Sequence, residues 1–298
     1  MDRMKEIEAK IAELEEVLEA EEKRDYRVLD EVRGVYEGQE KTGLSALRPL
    51  LDKSRLAAEE IEEFYSAQEK EARRRVETAT PQLQLNKDEL DLIERGSRAV
   101  LLINPCAMVR STSICQFHAA ACNSSHWETS NASGSCVCNT SNNEWNPKVE
   151  TYGQGVKGVR LAQVRSRCYF HIGARPNPAM VHIDTLVDVH GFYVLQAGVA
   201  GSALVTLDLE ARGFQYGWSW GSALDSVLSL SGDTMGRYDG MRHLHFEMPA
   251  GGGDPLLVRV MAKLTAWAKR GGALAVGDFA TGAGNRIRTI YVNTYSDP

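Results

Sequence analysis

Several things are scarce in this chain, and each scarcity excludes something. No apolar run approaches the roughly 20 residues that a membrane-spanning helix needs; the longest, Ala99–Ile103, has the length of a strand. The opening stretch from Met1 to Glu6 is charged and has no apolar h-region, so no secretory leader is read there. Synthesis in the cytoplasm is expected, with no membrane span, and any later release would use a route other than a cleaved leader. Catalytic signatures are missing too. There is no G-x-S-x-G elbow, no H-E-x-x-H helix and no Walker loop. Thr281–Arg286 is glycine-rich but lacks the lysine and the following helix, and reads as a hairpin turn. Excess positive charge is absent: the chain is net −6, against the basic patch of a nucleic-acid binder. Its one basic run, Arg73–Arg75, is bracketed by Glu69, Glu71 and Glu77 and reads as a solvated helix face. No cofactor, nucleic-acid partner or enzymatic activity is expected.

What is present is unevenly placed. Residues 1–96 carry 17 Lys and Arg against 26 Asp and Glu, a net of −9, with no Cys and no Trp. Residues 97–298 carry 17 against 14, a net of +3, and hold most of the Gly, Val, Ser, Thr and aromatics. Such a step marks two kinds of structure joined end to end: a charged helical segment, 1–96, and a β-rich domain, 97–298. A chain of the latter size hides roughly 70% of its unfolded surface.

In the first segment, Met4, Ile7, Ile11, Leu14 and Leu18, then Val28, Val32 and Val35, follow the steps of three and four of a coiled-coil seam. Glu21 and Asp25 fall on that seam and are expected to open it locally or to set register. Gly34, Gly38 and Gly43 are expected to break the helix. A second helix is then read from about Ala46 to Ala79, with Leu47, Leu50, Ile61, Phe64 and Ala72 as an imperfect seam. A third runs from Asn86 to Arg95, where Asn86 and Glu89 have the spacing of a capping box. Charged helices this long rarely bury enough apolar surface alone. The segment is therefore expected to be a coiled coil or helical hairpin that makes the chain a homo-oligomer.

From Val100 onward the period changes to two. Runs such as Met180–Gln196, Met241–Met248 and Leu256–Ala268 are separated by the turn signals Arg175–Pro178, Ser231–Asp233 and Ala250–Pro255. Eight or more strands at this spacing predict a mainly β chain, a jelly-roll-like antiparallel β-sandwich carrying the helical segment at its N-terminus. The alternation also assigns faces. Val181, Ile183, Val187 and Val189 oppose His182, Asp184, Asp188 and His190; Leu244, Phe246 and Met248 oppose His243, His245 and Glu247.

Two imidazoles and a carboxylate on one side of a strand are ligand types that a transition metal accepts. His243, His245 and Glu247 are similar in this to the first metal motif of cupins. There the acid follows the second His after a longer gap, and no second motif supplies the remaining His here. The three are read as polar contacts on a solvated face. His182, Asp184, Asp188 and His190 on an adjacent strand would strengthen a surface metal or glycan site.

Phe214, Tyr216, Trp218 and Trp220 are expected to share one face of a single strand, with Gly213, Gln215, Gly217, Ser219 and Gly221 opposite. Facing solvent they would make a platform for sugar rings; facing inward they would be core. The opposite face has little with which to build a core, which favours the inward reading. Its small residues imply close approach by another backbone or subunit.

The six cysteines, Cys106, Cys115, Cys122, Cys136, Cys138 and Cys168, lie within 63 residues, most of them in what is expected to be a Cys-rich polar loop at about 106–146. Cys115, His118, Cys122, Cys136 and Cys138 are residue types that hold zinc, but paired C-x-x-C knuckles are absent and no metal is assigned to them. Thiols and disulfides formed after release stand level.

These features predict a non-enzymatic oligomeric stalk with a β-sandwich head, a receptor-binding or adhesive, fibre-like component of a virion or other released assembly. The analogy with phage tail fibres is one of architecture. Tyr216, Trp218, Trp220, His243, His245 and Glu247 are the expected contacts to a cell-surface glycan or protein receptor. Two readings from other classes remain beside it: a pore-forming or released toxin component, and a metal-dependent enzyme on the sandwich.

Overall fold

Period-two alternation makes strands here because every apolar residue then lands on the side that meets a second sheet. The computed structural model describes residues 2–54, 58–102, 113–153, 158–198 and 201–296. In chain order its strands are β1 (Ile114–Gln116), β2 (Ala121–Glu128), β3 (Ala132–Asn139), β4 (Glu144–Tyr152), β5 (Val159–Ile172) and β6 (Ala179–Gln196). They continue with β7 (Ser202–Gln215), β8 (Trp218–Ser231), β9 (Thr234–Ala250), β10 (Leu256–Lys269), β11 (Leu274–Asp278) and β12 (Arg286–Ser296).

All described pairings are antiparallel. A seven-stranded sheet has the order β1-β12-β4-β11-β6-β9, with β3 on β4, and a five-stranded sheet the order β2-β5-β10-β7-β8. From β4 to β7 each successive strand crosses to the other sheet, as in jelly-roll sandwiches. The inner faces meet in one cluster that includes Trp145, Phe170, Ile183, Leu207, Met248 and Val292. The sandwich expected from the alternation is present.

The helices are α1 (Asp2–Ser54), α2 (Ala58–Gln82) and α3 (Lys87–Leu102). At 53, 25 and 16 residues they make this a mixed α+β chain rather than a mainly β one. Ile7, Ile11, Leu14 and Leu18 pack on the outer face of the five-stranded sheet, against Tyr169 and Phe214. Burying a side chain of that size stabilises by roughly 1.5–3 kcal/mol. Over this stretch the expected coiled-coil seam is met by the chain's own sandwich, and the partner-helix reading is corrected there.

The acids at and beside the interruption of the seam explain why. Glu22 pairs with Arg167 at 2.7 Å, Asp25 with Arg165 at 2.8 Å and Glu21 with Arg212 at 3.5 Å. Arg165 and Arg167 are alternate residues of β5, so a row of helix acids meets a row of sheet guanidiniums. Beyond them Val28, Val32 and Val35 are exposed. The side chains of Met4, Leu47, Leu50 and Ile61, and all of Cys106, lie outside the described residues.

No break occurs at Gly34, Gly38 or Gly43, and α1 runs through them to Ser54. A glycine costs only about 1 kcal/mol against alanine in a helix, which the helix formers around these three offset. The other helices cover the second sheet. Ala72 and Ala79 of α2 pack against Tyr152, Phe192, Val194, Leu274 and Val276. The basic run is not wholly solvated: Arg74 pairs with Glu71 in the open, but Arg73 lies 4.0 Å over the Tyr152 ring and Arg75 donates to Gln196 at 3.3 Å. At α3, Asn86 Oδ1 accepts from the N–H groups of Asp88 and Glu89, and Glu89 Oε2 from that of Asn86, the expected capping box. That helix passes the expected end at Arg95 and continues to Leu102. No helix among the described residues is long and apolar enough to cross a membrane.

The polar stretch expected as a loop is corrected as well. It forms β2, β3 and the start of β4, and β2 pairs with β5 from Ala121 to Glu128. Ladder bonds satisfy backbone groups that a buried loop would leave unpaired.

Candidate functional site

The aromatic run is two strands, not one. Gln215 ends β7 and pairs with Trp218 at the start of β8, so Tyr216 and Gly217 form a two-residue hairpin turn. Both have positive φ, 56° and 75°, as the tight turns that match strand twist require. Phe214 lies under α1 in the cluster with Leu14 and Leu18. The other three stand out from the tip, with Tyr216 58%, Trp218 71% and Trp220 49% exposed, which corrects the inward reading for them. Trp220 falls where the β7–β8 register shifts and is held by its indole N–H, which donates to Gln215 O at 3.0 Å. The close approach expected on the glycine side is present, since a Cβ on Gly221 would lie 2.7 Å from the Glu247 carbonyl oxygen.

The polar residues of β6 and β9 come together. Across that ladder His182 faces Glu247, Asp184 faces His245 and Leu186 faces His243. His245 Nδ1 lies 2.7 Å and His243 Nε2 3.2 Å from Asp184 Oδ1, and His182 Nδ1 lies 3.2 Å from Glu247 Oε1. Burial would raise the Asp184 pKa, but hydrogen bonds from His243 and His245 outweigh it and hold the group below the usual carboxylate range. The bond to Asp184 holds His243 above the usual imidazole value, against partial burial. Tyr295 of β12 stacks on His182 at 4.8 Å with rings 7° apart, and His182 stacks on His245 at 5.7 Å.

His182, Asp184 and Tyr295 complete a cluster of which the sequence marked His243, His245 and Glu247. Alternation had already set the first two on one face; strand adjacency was the part it lacked. The backbone contact of Gly221 with Glu247 puts this cluster and the aromatic tip near one end of the sandwich, on different sheets.

The cysteine candidates divide. Cys115 is disulfide-bonded and His118 is exposed in the bend after β1. Cys122, Cys136 and Cys138 are free thiols, and so is Cys168, directly opposite Cys122 in the β2–β5 ladder. Cys136 Sγ and Cys138 Sγ stand 3.5 Å apart. Hydrogen bonds from Cys122 and Cys136 draw the Cys138 thiol down, whereas those two are pushed up by the neighbouring thiols and by burial. The five expected residues do not form one ligand set, because Cys115 has no thiolate to offer.

One feature needed the folded chain to be seen. An open cleft of about 410 Å³ runs between α1 and the β7–β8 turn, lined in part by Ile7, Leu14, Phe214, Tyr216, Pro255 and Leu257. It exists only because α1 docks on the five-stranded sheet.

No protein-family model matches the chain, and no curated protein matches it. Among solved structures, it is similar to the mannan-recognising carbohydrate-binding module TmCBM27, at 13% identity, TM-score 0.23 and coverage of 62% of this chain and 99% of that one. It is similar also to the module CBM6cm-2 of Cellvibrio mixtus lichenase 5A in complex with cellotriose, at 9% identity, TM-score 0.19 and coverage of 58% and 91%. The active domain of bacteriophage CBA120 tailspike protein 4 matches at 10% identity and TM-score 0.19, with 57% of this chain covering 19% of that one. At such TM-scores these likenesses carry no argument, and the sandwich rests on the strand pairing described above.

Proposed function

We propose that this chain is a non-enzymatic binding protein, a receptor-binding or adhesive component of a larger released assembly, whose β7–β8 tip takes a carbohydrate. The observation that carries this reading is the exposure of Tyr216, Trp218 and Trp220 together on one hairpin. Exposed apolar groups clustered on a soluble surface mark interaction sites, and aromatic rings offer flat apolar faces with polar edges, suited to sugar rings. The turn that presents them is short, and its backbone is fixed by the strands on both sides, so little conformational entropy is lost on binding.

Self-association belongs to the same proposal, now narrowed to the distal part of α1. Val28, Val32 and Val35 continue the helical stripe past the residues that dock on the sandwich, and they are exposed. A second copy covering that stripe would multiply weak sugar contacts through avidity. The pore-forming alternative has less support, because the part of the apolar stripe from Ile7 to Leu18 is packed on the sheet.

The test is a glycan array followed by calorimetry on the strongest ligand, with the unaltered chain and Trp218→Ala. The unaltered protein is expected to select a defined glycan, and Trp218→Ala to bind it roughly tenfold more weakly, about 1.4 kcal/mol, with the melting temperature unchanged. Equal signals from the two proteins, or no glycan bound by either, would overturn the carbohydrate reading.

A further inference from the structure

We propose that His182, His245 and Glu247 form a three-ligand site for a borderline transition-metal ion, zinc foremost, on the outer face of β6 and β9, with Asp184 as the group that orients His245. The three residues come from adjacent strands in fixed register, His182 directly across from Glu247 and His245 two residues along. One ligand atom from each lies within 4.8 Å of the others. Tetrahedral zinc with bonds near 2.0–2.1 Å asks for ligand atoms about 3.4 Å apart. Rotation of His245 and Glu247, the two exposed members of the trio, would bring their ligand atoms toward His182 in its stack.

The surroundings are those of a metal-ligating histidine. His245 donates its Nδ1–H to Asp184 at 2.7 Å, which leaves the Nε2 lone pair as the ligand. His182 lies between the rings of Tyr295 and His245, which fixes its plane. His243 stands outside the trio. Its Nε2 is turned to Asp184 at 3.2 Å, so it competes for the orienting carboxylate instead of ligating. Two imidazoles and one carboxylate suit zinc, copper or nickel and not calcium, which takes six or more oxygens. With side chains 40% and 53% exposed at His245 and Glu247, a fourth position opens to solvent, where water or a donor from a bound molecule can sit.

The experiment titrates zinc chloride into the full chain by calorimetry in phosphate-free buffer, and records cobalt(II) spectra in parallel. One ion per chain is expected at this site, with a cobalt spectrum lacking the thiolate charge-transfer band. His182→Ala and His245→Ala should abolish that binding, Asp184→Asn should weaken it roughly 10–100-fold, and His243→Ala, which removes the competitor for Asp184, should not weaken it. Glu247→Gln separates ligation from folding: it keeps the shape of an exposed side chain, and is expected to lose the ion with an unchanged melting temperature. Zinc binding that survives both His182→Ala and His245→Ala overturns the proposal. So does a thiolate band at every equivalent of cobalt, which would move the metal to Cys122, Cys136, Cys138 and Cys168, and so does a chain that takes up no zinc.

Discussion

β6 carries two histidine–aspartate pairs on one face, His182 with Asp184 near its start and Asp188 with His190 at its middle. The two pairs have opposite fates. At the first, His243, His245 and Glu247 of β9 are exposed, and His182 and Asp184 of β6 lie half-buried beside them. At the second, α3 closes over the strand: Ser97 donates to Asp188 at 2.9 Å, and Glu94 reaches Arg286, which itself lies 3.0 Å from Asp188. His190 is clasped between Asp188 at 2.6 Å and Asp239 at 3.0 Å. Burial would raise the pKa of Asp188, but hydrogen bonding to His190 and the charge of Arg286 draw it down to about 2. The same residue types at the same spacing therefore make a buried network under cover and a partly exposed cluster without it. What packs on the strand decides, and that element is drawn from some ninety residues earlier in the chain.

The contrast breaks most visibly at the covered pair. Asp188→Asn leaves Arg286 and Arg288 facing a neutral group in a buried site, and removing one partner of a buried ion pair costs about 3–5 kcal/mol. The melting temperature is expected to fall by roughly 10 °C. A smaller loss is expected on the other sheet, where Leu14→Ala removes a buried side chain from the α1 interface. Urea unfolding should register about 2–3 kcal/mol, the lower part of the range for such truncations, because the site lies at a surface layer. No change there would mean that α1 does not rest on this sheet.

The smallest effect is a pH profile. Folded Asp188 titrates below its unfolded value near 3.9, so its contribution is present above about pH 4 and is lost as pH falls through about 2. Burial would lower the pKa of His190, yet Asp188 and Asp239 raise it above 6.5, so its contribution is full below that value and is lost as pH rises through the raised one. Stability is expected to be higher at pH 5 than at pH 3 or 8.5. Asp188→Asn should flatten that profile, and an unflattened one would remove this pair as its source.

How far this was legible in the sequence varies by element for physical reasons. The faces of β6 and β9 could be read because a period of two leaves no choice once one side is apolar. Which strands lie side by side could not, since β6 and β9 are joined only after two strands of the opposite sheet. The α1 stripe announced burial by its period and said nothing of what buries it. A second signal was present in the alternate arginines 165 and 167, which match the helix acids Glu22 and Asp25. The hairpin at Tyr216 was hidden because tyrosine is an uncommon residue at positive φ, and Gly217 alone is a weak turn signal. Ser, Asn and Gly between 123 and 146 are poor strand formers by themselves; pairing with the long β5 overrides that local preference.

That cover and not residue type separates the two His–Asp pairs of β6 is tested most directly by melting Asp188→Asn and Asp184→Asn side by side at neutral pH without added metal. The expected result is a fall of roughly 10 °C for the first and a shift within about 2 °C for the second, whose partners His243 and His245 are themselves exposed. Equal shifts in the two variants, in either direction, would contradict it.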